Sequence, residues 1–224
     1  MKTIFYSVII ILSFISSLQA QKTIKLSTKS LAVTDGKIEE AEWKDATFFD
    51  LSGGGKIYLK HDGNYVYVAV KGVKPGWTHL YLSEGKDKDI SVLHASAALG
   101  KVVYRKDSAN LWQPLNEFAW ELRDRVFTDA VRQKMADYIA KNYWTANNNN
   151  MGNKAEVEFQ IKLQNPTANE FRMSLVYAVE EKTFNFFPSN LADDSLKPEL
   201  VAGNKVENVK FNVNQWAKVV LNKK

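Results

Sequence analysis

Three histidines, six tryptophans and no cysteine set the chemical repertoire of this sequence. His79 lies two residues from the Tyr81 hydroxyl, and His94 lies between Ser91 and Ser96. A serine made nucleophilic by histidine needs a strained Gly-x-Ser-x-Gly elbow or an acid that orients the imidazole, and neither surrounds these residues. Paired carboxylates hydrolyse glycosidic bonds, but Glu39, Glu40, Glu42, Glu156 and Glu158 recur at the spacing of solvated faces. Asp87, Asp89, Asp193 and Asp194 offer oxygen ligands to calcium without EF-hand spacing, so metal content stays unassigned. Without cysteine, thiolate metal sites and a cysteine nucleophile are excluded. The tryptophans remain. Trp77 opens a strand after Pro75-Gly76, where an aromatic either covers a sheet edge or faces a ligand. Trp144, beside Tyr143 and the asparagines at 147 to 150, combines a ring with amides in a segment that reads as exposed. Trp43, Trp112 and Trp120 read as packing residues.

Strands must position most of these groups. Lys56–Lys60 and Tyr65–Lys71 alternate with period two around the turn His61-Asp62-Gly63-Asn64, a hairpin signal. In the strand opened by Trp77, Leu80 and Leu82 face away from His79 and Tyr81. Ile90–Leu99 follows, with small residues around His94, and then Val102–Tyr104. Alternation returns at Ala155–Leu163 and Phe171–Val179, and the chain closes through Val209–Val213 and Trp216–Leu221. Between these runs the period changes. From Pro114, the residues Leu115, Phe118, Leu122, Val126, Val131, Met135, Tyr138 and Ile139 recur at three and four, which predicts an amphipathic helical insertion over 114–142. Thr128 is suited to cap a second helix, so one long helix and a bent pair both fit. Trp144–Asn153 reads as an exposed loop.

Ahead of the hairpin, Asp35-Gly36 turns into the acidic segment Lys37–Ala46, whose Ile38, Ala41 and Trp43 or Ala46 share one side. This segment is expected to plug one end of a sandwich. The whole reads as an all-β antiparallel β-sandwich, jelly-roll or Ig-like, with the helical insertion.

The first twenty of 224 residues read as a secretory signal: Lys2, an apolar run from Ile4 to Leu18 diluted by serines, then Ala20. Residues 21–224 are then expected to form one domain, secreted or periplasmic, monomeric, and with no membrane insertion after cleavage. A formal net charge of +5, spread along the chain without a recognition motif, gives no case for nucleic acid.

Several of these stretches resemble carbohydrate-binding module family 9 and its DOMON-like relatives. Asp35-Gly36, Glu40 and Trp43 look like the family's opening motif, Asp62–Val70 like its acidic-turn hairpin, and Pro75-Gly76-Trp77 like the Pro-Trp that starts its next strand. Ala155–Leu163 is similar to its Glu-rich strand, and Lys197–Phe211 to its closing loop and strand. The resemblance implies a β-sandwich, often with structural calcium, that is not an enzyme and holds sugar ends between two tryptophans. Trp77 matches one stacking tryptophan, and a planar indole suits the apolar face of a pyranose. Thr78, His79 and Tyr81 replace the acidic residues expected after it, and no tryptophan stands at Pro198–Leu200 where the second is expected. The expected carbohydrate contacts are Trp77, Tyr81, His79 and Trp144. DOMON-like domains also suggest a haem module, for which His79, His94, Met135, Met151 and Met173 are available; without C-x-x-C-H the haem is non-covalent. A third reading makes the helical insertion a docking surface for a partner protein.

Overall fold

The computed structural model describes residues 22–85, 89–122, 127–149, 154–162, 169–180, 183–191, 196 and 205–222. The signal-like residues 1–20, and Asp87, Met151, Asp193, Asp194 and 198–200, lie outside them. The described chain runs β1 (Thr23–Ser27), α1 (Glu40–Trp43), β2 (Thr47–Asp50), β3 (Lys56–His61), β4 (Val66–Lys71), β5 (Trp77–Ser83), β6 (Ile90–Ala95) and β7 (Ala98–Lys106). It continues with β8 (Trp112–Pro114), β9 (Ala119–Leu122), α2 (Asp129–Asn142), β10 (Trp144–Asn149), β11 (Glu156–Ile161), β12 (Glu170–Val179), β13 (Thr183–Phe187) and β14 (Ala217–Asn222). A larger sheet has the order β1-β14-β12-β5-β6-β7-β8, with β13 also on β12 and β9 also on β7; a smaller sheet has the order β10-β11-β4-β3-β2. Only the β1–β14 pair is parallel among the described ladders.

Period-two alternation builds this β-sandwich directly. Ile57, Leu59, Val68, Val157 and Phe159 of the smaller sheet meet Leu80, Leu82, Leu93, Phe171, Met173 and Leu175 of the larger one in the main core. The β3–β4 hairpin forms as expected. Asp62 Oδ1 accepts from the backbone N–H groups of Asn64 and Tyr65, each at 2.8 Å, and Gly63 supplies the left-handed residue at φ 102°. His61, expected in the turn, instead ends β3, where it is buried and its Nε2 lies 3.1 Å from the Leu26 carbonyl. The outer face of the larger sheet is also apolar. Tyr81, Val92, Val102, Tyr104 and Val176 form a second core there, closed by Leu191, Leu196, Val209, Phe211, Val213 and Trp216.

The helical insertion is shorter than its periodicity predicts. The helix α2 starts at the cap Thr128, whose Oγ1 accepts from Val131 N at 3.3 Å. It ends at Tyr143, at φ 65°, whose N–H returns to the Ile139 carbonyl. Residues 112–114 and 119–122 instead form β8 and β9, which pair with the second edge of β7, β9 over Ala98–Lys101 and β8 over Tyr104–Lys106. Pro114 is tolerable on such an edge strand. The exposed residues of α2 include Arg132, Gln133, Lys134, Asp137 and Lys141, with Ala130, Ala136 and Ala140 among them.

Two further expectations are corrected. Trp144–Asn149 is the strand β10, not an exposed loop; it pairs antiparallel with β11, and Asn147 is buried. The segment around α1 lies across the outer face of the smaller sheet and does not cap an end. Trp43 and Ala32 pack on Tyr67 and Ala69, with Ile38 and Ala46 partly buried beside them and Ala41 exposed. Glu158, expected on a solvated face, is buried beneath this segment. Its two oxygens accept from Gly36 N and Trp43 Nε1, both at 2.8 Å. Burial pushes the Glu158 carboxyl up to about 8 despite those two donors. Gly36 is required here twice over: its φ is 88°, and a Cβ would come within 2.9 Å of the Asn148 carbonyl carbon.

Candidate functional site

The antiparallel register of β5, β6, β7 and β9 aligns one polar-aromatic row on the outer face of the larger sheet. His79 pairs with His94, His94 with Gly100, and Gly100 with Trp120. Cross-strand neighbours share a face, so the two imidazoles, the glycine and the indole stand side by side. Trp77 and Tyr81 join them from β5 by the two-residue period.

The imidazoles form a hydrogen-bonded chain. His79 Nε2 and His94 Nδ1 are 2.8 Å apart, His94 Nε2 is 2.7 Å from Ser96 Oγ, and Tyr81 Oη is 3.5 Å from His79 Nδ1. Ser96 Oγ also accepts from Ala98 N at 3.2 Å and donates to the Ala98 carbonyl at 3.3 Å. One direction satisfies every member: His94 Nε2–H donates to Ser96, leaving Nδ1 to accept from His79 Nε2–H, and His79 Nδ1 then accepts from Tyr81. Burial holds both rings neutral. Desolvation, helped by the neighbouring His94, drives His79 well below the usual imidazole range, and desolvation lowers His94 to about 4. Desolvation also raises the Tyr81 phenol far above its ordinary value.

Such a chain is a poor nucleophile site. Among the described residues, no carboxylate orients either imidazole, and the chain ends on a tyrosine. Ser91 pairs with Val103 and sits one residue out of phase with Val92 and His94, on the other face of the sheet. The haem ligand set is not assembled either: Met173 is buried in the main core on the opposite face, Met135 is on α2, and the histidines are bonded to each other. Asp89 grips Arg105 through two hydrogen bonds of 2.9 and 2.6 Å, which leaves it poorly placed as a calcium ligand. Among the described residues there is no group of three or more His, Cys, Asp or Glu arranged for a metal ion.

The aromatic rings are arranged as a shelf. Trp77 lies 5.4 Å from His79 and 5.3 Å from His94, centroid to centroid. Phe118 stacks on His79 at 5.8 Å and on Trp120 at 5.2 Å, with interplanar angles of 29° and 21°. Trp120 meets His94 edge-on at 5.1 Å. Gly100 makes room for this stack, since a Cβ there would stand 2.7 Å from Trp120 Cζ3 and 3.2 Å from Phe118 Cδ1. Trp120 is 51% exposed and Trp77 is half-buried, while Phe118, His79 and His94 are buried.

Of the four residues expected at the site, Trp77, His79 and Tyr81 are brought together and Trp144 is not. His79 and Tyr81 are fully buried and back the shelf; Tyr81 reaches down to Phe211 and Trp216. Trp144, only 1% exposed, lies in the main core between Tyr138 and Phe159 and offers no face to a ligand. Trp120 reads as a packing residue in the sequence but is the most exposed ring of the shelf. The signal for it was the two-residue spacing of Phe118 and Trp120, which fits one face of a strand.

No protein-family model and no curated protein matches the chain in sequence. Solved structures do match in shape. One is a carbohydrate-binding module of family 9 from Caldicellulosiruptor kristjanssonii in complex with glucose, at a TM-score of 0.50 and 16% identity, covering 91% of this chain and 97% of that one. Another is such a module from the same organism in complex with cellotriose, at a TM-score of 0.49 and 15% identity, covering 91% and 95%. The chain therefore has a β-sandwich fold like that of carbohydrate-binding module family 9.

Proposed function

We propose that this protein is an exported, non-catalytic glycan-binding module, secreted or periplasmic and monomeric, that holds its ligand by aromatic stacking on the outer face of the larger sheet. The observation that carries this reading is the half-buried Trp77, braced by the His79–His94 pair at the rim of a shelf whose outermost indole is open to solvent. Indole faces match the apolar faces of sugar rings. The fold supports the reading, and the similar module's complexes with glucose and cellotriose are consistent with it. Residues 1–20 supply the export signal, and no helix among the described residues is long and apolar enough to cross a membrane.

A glycan array probed with residues 21–224 tests the reading. Binding to at least one glycan is expected, with Trp77→Ala weakening it by about 1–3 kcal/mol for the lost indole burial. An array with no glycan bound would remove the function, and full affinity in Trp77→Ala would remove Trp77 from the site.

A further inference from the structure

We propose that Trp120 is the main stacking surface and that it acts as an open platform for interior residues of an uncharged glycan chain, an inference that rests on the glycan-binding reading above. Trp120 is the ring best held for such a task. Phe118 supports it from one side at 5.2 Å, His94 abuts it at 5.1 Å, and the missing Cβ of Gly100 lets it settle against the strand. It remains 51% exposed, although an indole of this size gains strongly from burial.

The platform is one-sided. Phe118 and His94 are the ring contacts of Trp120 among the described residues. The rest of residues 21–224 cannot supply another, because the segments 86–88, 123–126, 150–153, 163–168, 181–182, 192–195, 197–204 and 223–224 contain no Phe, Tyr, Trp or His. Among the described residues, no third ring therefore packs on Trp120. Two facing rings enclose a sugar and favour a chain end; a single shelf leaves the chain free to continue in both directions.

The rings of the shelf carry no charge. Among the described residues, no ion pair or cation–π contact involves Trp77, His79, His94, Phe118 or Trp120, and both imidazoles are held neutral by burial. The nearby Glu117 is paired with Lys205. Among the described residues, the rings of the shelf meet no cation, and the partly exposed Ser96 at its edge presents a neutral hydroxyl.

Calorimetric titration with cellohexaose, xylohexaose, laminarihexaose, mannohexaose and an oligogalacturonate, each before and after borohydride reduction of the reducing end, tests the proposal. The parent is expected to bind at least one neutral hexaose, equally well after reduction. Trp120→Ala should weaken that binding about tenfold to a hundredfold. Gly100→Val, which keeps the indole but pushes it off the strand, should weaken it too, with circular dichroism confirming that both variants are folded. Unchanged affinity in Trp120→Ala would overturn the platform while leaving glycan binding intact. Loss of binding on reduction would overturn the interior-chain reading, and preference for the oligogalacturonate would overturn the uncharged class. A parent that binds none of the five overturns this inference, while the glycan array above decides the glycan-binding reading itself.

Discussion

Replacing Glu158 by Gln should change how stability depends on pH without touching the aromatic shelf. The carboxyl is 1% exposed and receives hydrogen bonds from Gly36 and Trp43. Its folded pKa of about 8 stands above the ordinary 4.5, through burial first and then the nearby charges of Asp35 and Glu42. The folded protein thus keeps a proton that the unfolded chain has lost, so the contribution to stability is present at low pH and is lost as pH rises toward 8. Between pH 6.5 and 8 the loss is roughly 1.5 kcal/mol. Below 6.5 the two buried histidines act in the opposite sense, which makes the upper window the clean one. Lys22 and Lys101, lowered by desolvation, also act oppositely, but they are common to both proteins and cancel in the comparison. A glutamine cannot ionise, and its amide group would face one of the two N–H donors, so Glu158→Gln should cost about 1–3 kcal/mol at pH 6.5. Urea titrations followed by tryptophan fluorescence at pH 6.5 and 8 give the difference, which should shrink as pH rises. Parallel pH profiles for the two proteins would refute the assignment of a proton to buried Glu158.

Trp144→Ala should destabilise the fold by about 3–5 kcal/mol, because it empties a large site in the main core. Glycan affinity measured on the folded fraction should be unchanged; a drop would return Trp144 to the ligand surface. Acid titration followed by near-ultraviolet circular dichroism should show stability falling from pH 6.5 toward about 4, as the unfolded chain takes up protons that buried His79 and His94 refuse. The double variant His79→Gln, His94→Gln should flatten that limb, and an unaltered limb would place the acid sensitivity elsewhere.

The sandwich was legible because a half-buried strand advertises itself in every second residue, as in Val66, Val68 and Val70 or Val157, Phe159 and Ile161. Trp43 was legible as a buried residue from the apolar pattern around it. The segment 114–122 was misread because Leu115, Phe118 and Leu122 happen to fall at three and four. Helical spacing there competes with a free strand edge on β7, which periodicity along one segment cannot register. Asn147 to Asn149 misled for a similar reason: asparagine favours loops in isolation, yet β11 supplies a full ladder of partners.

By itself, the sequence determined the alternation, the hairpin at Asp62-Gly63, the cap at Thr128 and the absence of cysteine chemistry. These are local properties, set by backbone preference and by which face of an element is apolar. It also placed Trp77, His79 and Tyr81 on one face of one strand. Only the tertiary structure decided that His94, Gly100, Phe118 and Trp120 stand beside them, because register between strands depends on pairing across distant parts of the chain. The same packing decided that Trp144 is sealed in the core while Trp120 is open to solvent, since exposure is a property of what covers a residue and not of the residue's own neighbours in sequence.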